Sequence, residues 1–165
     1  MRADVATSNV RDLLERVTGA RPEHDEDGDL PVIFGGAQFY VRVVGSDDAW
    51  IQVFSVALAD VDSSPGMLAE LNAINSERRF ARAFHVGRQV LIESDIWADD
   101  INPANLGFAC SHVAQATDSM ASKLKEAFGG RARFEESKTS EYRIPLGFAG
   151  SAEMAALRAT ATPPQ

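Results

Sequence analysis

The segment AWIQVFSVAL, Ala49 to Leu58, restricts the possible folds more than any other part of the chain. Its β-branched and aromatic residues favour a strand. Strand alternation places Trp50, Phe54, Val56 and Leu58 on one side and Ile51, Val53 and Ala57 on the other. An antiparallel sheet covered on one face shows polar residues on its wet face. Here both faces are apolar. The preceding run AQFYVRVV, Ala37 to Val44, behaves alike, with Phe39, Val41 and Val43 opposed by Tyr40 and Val44. Such strands need two covers. The second is the chain itself around a central strand, its tail, a second subunit or a captured peptide.

The surrounding pattern supplies one cover. Thr7 and Ser8 are suited to cap a first helix whose face is Val10, Leu13, Leu14 and Val17, with Gly19 as its stop. LPVIF, Leu30 to Phe34, precedes Gly35-Gly36, a two-residue hairpin signal leading into Ala37 to Val44. After the third run, Ser64 caps and Pro65 opens a helix with an apolar face of Met67, Leu68, Leu71 and Ile74, ending at Asn75 and Ser76. Phe80, Arg82, Phe84 and Val86 then alternate to one side. Gly87-Arg88 suits a tight hairpin, and Val90, Ile92, Ser94 and Ile96 alternate on the return strand. Asn102-Pro103 opens the longest helix. Its stripe is Leu106, Cys110, Val113, Thr117, Met120, Leu124 and Phe128, and Gly129-Gly130 ends it. The order α-β-β-β-α-β-β-α with short links predicts an α+β fold: an antiparallel five-stranded sheet with helices packed mainly on one face. Residues 1–130 read as one such domain. Residues 131–165 read as a C-terminal tail, folding back or partly flexible, with an extended piece EYRIPLGF and an Ala-rich stretch after Ser151.

Charge narrows the partners. The 165 residues carry a net charge of -8, which repels phosphate backbones and anionic membrane surfaces, so neither nucleic acid nor membrane is expected as a partner. No apolar run approaches the ~18 residues of a membrane-spanning helix. The start MRADVATSNV lacks the apolar core of a secretory signal, and the single cysteine, Cys110, excludes an intrachain disulfide. A cytoplasmic location is expected.

No motif announces chemistry. His24, His85 and His112 are scattered, and Ser111-His112 point to different sides of a helix. Cys110 lies on an apolar stripe, as a packing thiol does. Asp25, Asp27 and Asp29 alternate in HDEDGD, but Gly28 stands fourth and Gly36 twelfth, which does not match a calcium loop; a solvated acidic loop is expected. The glycines fit no phosphate-binding pattern. Neither cofactor nor metal is expected. Only His85, Glu93 and Asp95 offer a nucleus for a hydrolase or small-molecule site. Asn72 and Asn75, three apart on one helix face, read as structural helix-end asparagines: Asn75 through a left-handed end or carbonyl capping, Asn72 through the connecting loop.

Leu71-Asn72, then Asn75, Phe80 and Phe84, a hairpin, and Val90 to Asp95 resemble the YbjN-like proteins of bacteria, which share the fold of type III secretion chaperones. The likeness in layout spans residues 8 to 128; the recognisable motif covers about 30 residues. It implies a small, often dimeric α+β module that holds peptide segments of partner proteins. Some relatives are described as sensory-transduction regulators. The resemblance brings no catalytic residues. Ile96-Trp97 and the tail after Gly130 depart from the family pattern, and EYRIPLGF is itself a candidate occupant of a groove. The expected function is a non-enzymatic peptide- or protein-binding module, chaperone-like or an adaptor, with Tyr40, Trp50, Gln52 and Phe54 as its binding surface. The alternative is a regulatory homodimer without cargo; a small hydrolase or small-molecule-binding protein ranks below both.

Overall fold

The computed structural model describes residues 1–19, 21–34, 37–132 and 143–144. The elements are α1 (Ala3–Thr18), β1 (Leu30–Phe34), β2 (Ala37–Val44), β3 (Trp50–Ala59), α2 (Pro65–Glu77), β4 (Arg82–Val86), β5 (Gln89–Trp97), a short 3-10 turn (Ala98–Asp100), α3 (Pro103–Phe128) and β6 (Arg143–Ile144). The first five strands pair antiparallel. β6 adds a sixth, parallel to β1, and the sheet order is β4-β5-β3-β2-β1-β6. The expected α+β order and antiparallel five-stranded sheet are what the chain forms, and β3 is central.

Local chemistry sets the element ends. The Ser64 hydroxyl accepts from the Met67 amide at 3.1 Å, and Pro65 occupies the first turn of α2. Asn102 does the same for α3, accepting from the Asn105 amide at 3.0 Å. Gly87 and Arg88 both take positive φ, as a tight hairpin matching the strand twist requires. The Gly35-Gly36 hairpin signal lies outside the described residues. At the end of α3, a Cβ on Gly130 would come within 2.7 Å of the Ala59 carbonyl oxygen. Only glycine permits this approach, which lets Arg131 bridge to Ala59 with two backbone hydrogen bonds of 2.8 Å.

Three sequence expectations are corrected. α1 begins at Ala3 rather than after Thr7 and Ser8, because the Thr7 hydroxyl donates to the Ala3 carbonyl inside the helix instead of capping it. A bulge between Val56 and Leu58 inserts Ala57 and turns Leu58 to the side of Val90, away from Val56. Phe80 precedes β4 and packs on Phe108 and His112 of α3, with ring centroids 4.9 and 5.2 Å away, so it does not share the side of Arg82, Phe84 and Val86.

The core lies on one face of the sheet. Val32, Phe39, Val41, Ile51, Val53, Leu58, Val90 and Ile92 are buried there against Val10 and Leu14 of α1, Met67 and Leu71 of α2, and Leu106, Cys110, Val113, Met120 and Leu124 of α3. Ser55 enters the same layer by donating to the Gln38 carbonyl at 2.6 Å. Asn75 remains helical. Its amide nitrogen donates to the Ala83 carbonyl at 2.8 Å, and its oxygen accepts from the Ala83 amide at 2.7 Å. Asn72 is exposed on α2.

Burial among apolar groups pushes the Cys110 thiol up to about 12. Its folded value stands above the unfolded one, so its contribution to stability is complete below about pH 8.5 and is lost as pH rises toward the folded value. Cys110→Ala should therefore flatten the alkaline loss of stability between these limits, read by chemical denaturation at stepped pH; identical alkaline profiles would refute it. Asn75→Ala removes two hydrogen bonds to an edge strand and is expected to cost about 1–3 kcal/mol in urea denaturation. An unchanged midpoint would show that water replaces the amide fully.

Candidate functional site

The second sheet face has no helix on it among the described residues. α1 and α3 pack on the side of Phe39, Val53 and Ile92, and α2 packs against β4 at the edge. Register aligns the opposite face in rows. Trp50 pairs with Val44 and Trp97; Gln52 with Arg42 and Asp95; Phe54 with Tyr40 and Glu93, next to Arg82; and Val56 with Leu91, next to Phe84. Tyr40, Trp50, Gln52 and Phe54 thus share one face. Their spacing along β2 and β3 follows from the two-residue period, and the β2–β3 register brings the strands' rows into line.

The face is apolar in patches and tied by charge between them. Tyr40 stacks on Phe54 with centroids 5.4 Å apart, and the Arg42 guanidinium lies 4.9 Å above the Phe54 ring. These two lids leave Phe54 only 9% exposed. Arg42 also grips Asp29 with two bonds of 2.5 and 2.6 Å. That hydrogen bond raises the Arg42 pKa further. Asp29 is buried, so the acidic connector is not wholly solvated, contrary to the sequence expectation. Through this pair the connector walls a hollow of about 310 Å³ floored by Tyr40, Phe54, Val56 and Leu91.

A second knot ties β3, β5 and β4. Glu93, 3% exposed, accepts from Gln52 Nε2 at 3.0 Å and from Arg82 Nε at 2.7 Å, and Arg82 reaches Asp95 at 3.3 Å. Gln52 is thereby committed to a neighbour. At the far end Trp97 stands 63% exposed beside Trp50. Trp97 thus extends the apolar row of Trp50 and Val44 with a solvent-exposed ring.

Sequence reasoning missed Trp97, Leu91 and Phe84 on this face and both arginine knots. A signal existed for the knots: Arg42 and Gln52 interrupt apolar strands on the side of Tyr40 and Phe54. Their partners come from distant segments, which alternation cannot show.

The proposed hydrolytic nucleus does not assemble. His85 pairs with Val90 on the helix side, and its Nε2–H donates to the Val61 carbonyl at 2.9 Å. Glu93 and Asp95 lie on the opposite face, held by Arg82. The three groups share no cleft. His112 is half-buried against Phe80 and Phe108.

Arg42→Ala strips a buried carboxylate of its partner. The expected cost is about 1–2 kcal/mol, toward the low end for charged hydrogen bonds because Arg42 is partly solvated. An unshifted urea midpoint would mean that Asp29 finds other solvation.

Known proteins place this architecture. The ExsC–ExsE complex contains a chain 15% identical to this one, with a TM-score of 0.53 over 73% of this chain and 93% of that chain; at this identity the likeness shows the fold. No curated protein matches the sequence. The family model TY-Chap1, described as T3SS (YopN, CesT) and YbjN peptide-binding chaperone 1, matches residues 4–136, nearly all of the described fold. The chain therefore belongs to this family of peptide-binding chaperones.

Proposed function

We infer that this protein holds an extended segment of a partner protein against the helix-free sheet face, as a chaperone-like or adaptor module without catalytic activity. The observation that supports this reading most is the row of Trp50, Trp97 and Val44 beside the Tyr40–Phe54 stack, left without a helix among the described residues. The family is one of peptide-binding chaperones, which agrees. The structural neighbour is a two-protein complex, so a protein partner is the natural ligand class.

The division of labour on the face differs from the sequence expectation in emphasis. Trp50 and Trp97 offer accessible aromatic area, Tyr40 forms a wall, and Phe54 lies mostly beneath Tyr40 and Arg42. Gln52 orders Glu93. A partner segment with apolar residues at alternate positions would meet the rows at strand spacing. The second reading is a homodimer in which this same face is the subunit interface, a regulator without cargo; Trp97's exposure suits either occupant. A cytoplasmic setting, residues 1–130 as the binding domain and 131–165 as an appended tail belong to the proposal as well. No described helix is long and apolar enough to cross a membrane.

Trp50 and Trp97 are the chain's two tryptophans, so selectively excited tryptophan fluorescence reports on this face. Peptides selected from an extended-segment library should shift the emission to the blue on binding. Trp97→Ser should weaken them at least about tenfold, or ~1.4 kcal/mol, with an unchanged denaturation midpoint. Selected peptides that bind without a spectral change, and equally well to the variant, would exclude this face. A dimer whose dissociation is promoted by Trp97→Ser, with no peptide selected, would favour the second reading.

A further inference from the structure

Strand β5 outruns its neighbour. β4 begins at Arg82, which pairs with Glu93, while β5 continues to Trp97. The last residues of β5, Ser94 to Trp97, therefore pair with β3 on one side and, among the described residues, with no strand on the other.

Hydrogen bonds at both ends show which main-chain groups face the open side. The Ala98 amide donates to the Ala49 carbonyl at 3.1 Å, toward β3. By the two-residue alternation of an antiparallel ladder, Ile96 and Ser94 also turn their main-chain groups to β3, and Trp97 and Asp95 turn theirs away. The β4 side agrees. Asn75 takes the outward carbonyl and amide of Ala83, at 2.8 and 2.7 Å, so Arg82 faces β5 and Glu93 faces β4. Asp95 and Trp97 continue the row of Glu93. Their N–H and C=O groups have no hydrogen-bond partner on that side among the described residues. Asn75 thus closes the part of the rim that β4 forms and leaves the part that β5 forms open. Beside the opening lies a hollow of about 400 Å³, lined by Arg79, Phe80 and Ala81 of the link from α2 and by Ser94 and Asp95 of β5.

The side chains along the opening set the chemistry of its occupant. Trp97 is 63% exposed. Asp95, touched by Arg82 at 3.3 Å, keeps 39% of its side chain in solvent. Both lie on the helix-free side, and Ile96 between them turns to the core. Aromatic pairs and pairs of opposite charge are the favourable partners across strands. An antiparallel neighbour also exchanges both bonds of each outward residue with a single residue of its own.

We propose that the open edge from Asp95 to Trp97 accepts an extended segment of another protein as an added strand. The segment runs antiparallel to β5 and in line with β4. It places an aromatic residue across from Trp97 and, two positions later, a basic residue across from Asp95. Main-chain bonds hold it, and the two side chains select it. The site lies in the plane of the sheet and does not rest on occupation of the helix-free face.

The probe is a fluorescein-labelled peptide, Thr-Val-Phe-Val-Lys-Val-Thr, blocked at its carboxyl end, titrated into the full-length protein and read by anisotropy. N-methylation of the Phe or the Lys removes an amide that faces β5 and should weaken binding at least about tenfold. N-methylation of the Val between them should change it less than about twofold, because that amide points to solvent. Asp95→Lys should weaken the parent peptide, and a peptide with Glu in place of Lys should recover affinity on that variant alone. No binding by the parent peptide, equal effects of N-methylation at all three positions, or no recovery by the charge-exchanged pair overturns the proposal. Trp50→Ser separates this site from the helix-free face. Binding that ignores N-methylation but is lost in Trp50→Ser leaves the face reading standing and removes the edge. Binding with the alternating N-methyl pattern that survives Trp50→Ser establishes the edge whatever becomes of the face.

Discussion

Strand β3 is apolar on both faces, yet among the described residues the helices cover one face only. Everything else in the molecule answers this constraint. α3 lays its stripe from Leu106 to Leu124 across the strands, and α1 closes the same layer. On the opposite side nothing comparable is supplied among the described residues. The chain instead breaks the apolar surface into patches with paired charges: Arg42 with Asp29, and Gln52 and Arg82 with Glu93. A buried carboxylate on a face without a helix is tolerable only because each such group has a cation or amide on it. The result keeps the surface wettable while leaving aromatic area at Trp50 and Trp97.

The same logic governs the edges. A sheet with antiparallel strands and two free rims invites unwanted pairing. Asn75 closes one rim with a side chain from α2, bonded to both backbone groups of Ala83 in β4. The other rim carries a strand of the chain itself.

Much of the fold was legible because it rests on local signals. Ser64-Pro65 and Asn102-Pro103 mark helix starts by chemistry that needs no tertiary context, and the Cys110 stripe follows from helical period alone. Thr7 and Ser8 misled because a hydroxyl satisfies a carbonyl within a helix as well as an amide at its end. Leu58 was assigned to the wrong side because a bulge changes the count of residues without any mark in the composition. Of the face itself, Tyr40, Trp50, Gln52 and Phe54 could be grouped by alternation. That Phe54 lies beneath Arg42, and that Gln52 serves Glu93, depends on strand neighbours distant in sequence.

The sequence alone determined the element order, the starts of α2 and α3, the two-faced character of β2 and β3, and the acidic charge balance. These depend on period, capping chemistry and charge, which are properties of short segments. Only the tertiary structure decided which face the helices cover, which carboxylates are paired, and which rim each segment closes. Alternation says that two faces differ but not which one is inward, and that choice is made by long-range packing. It is the placement of α1 and α3 on the side of Val53 that turns Trp50 and Trp97 outward.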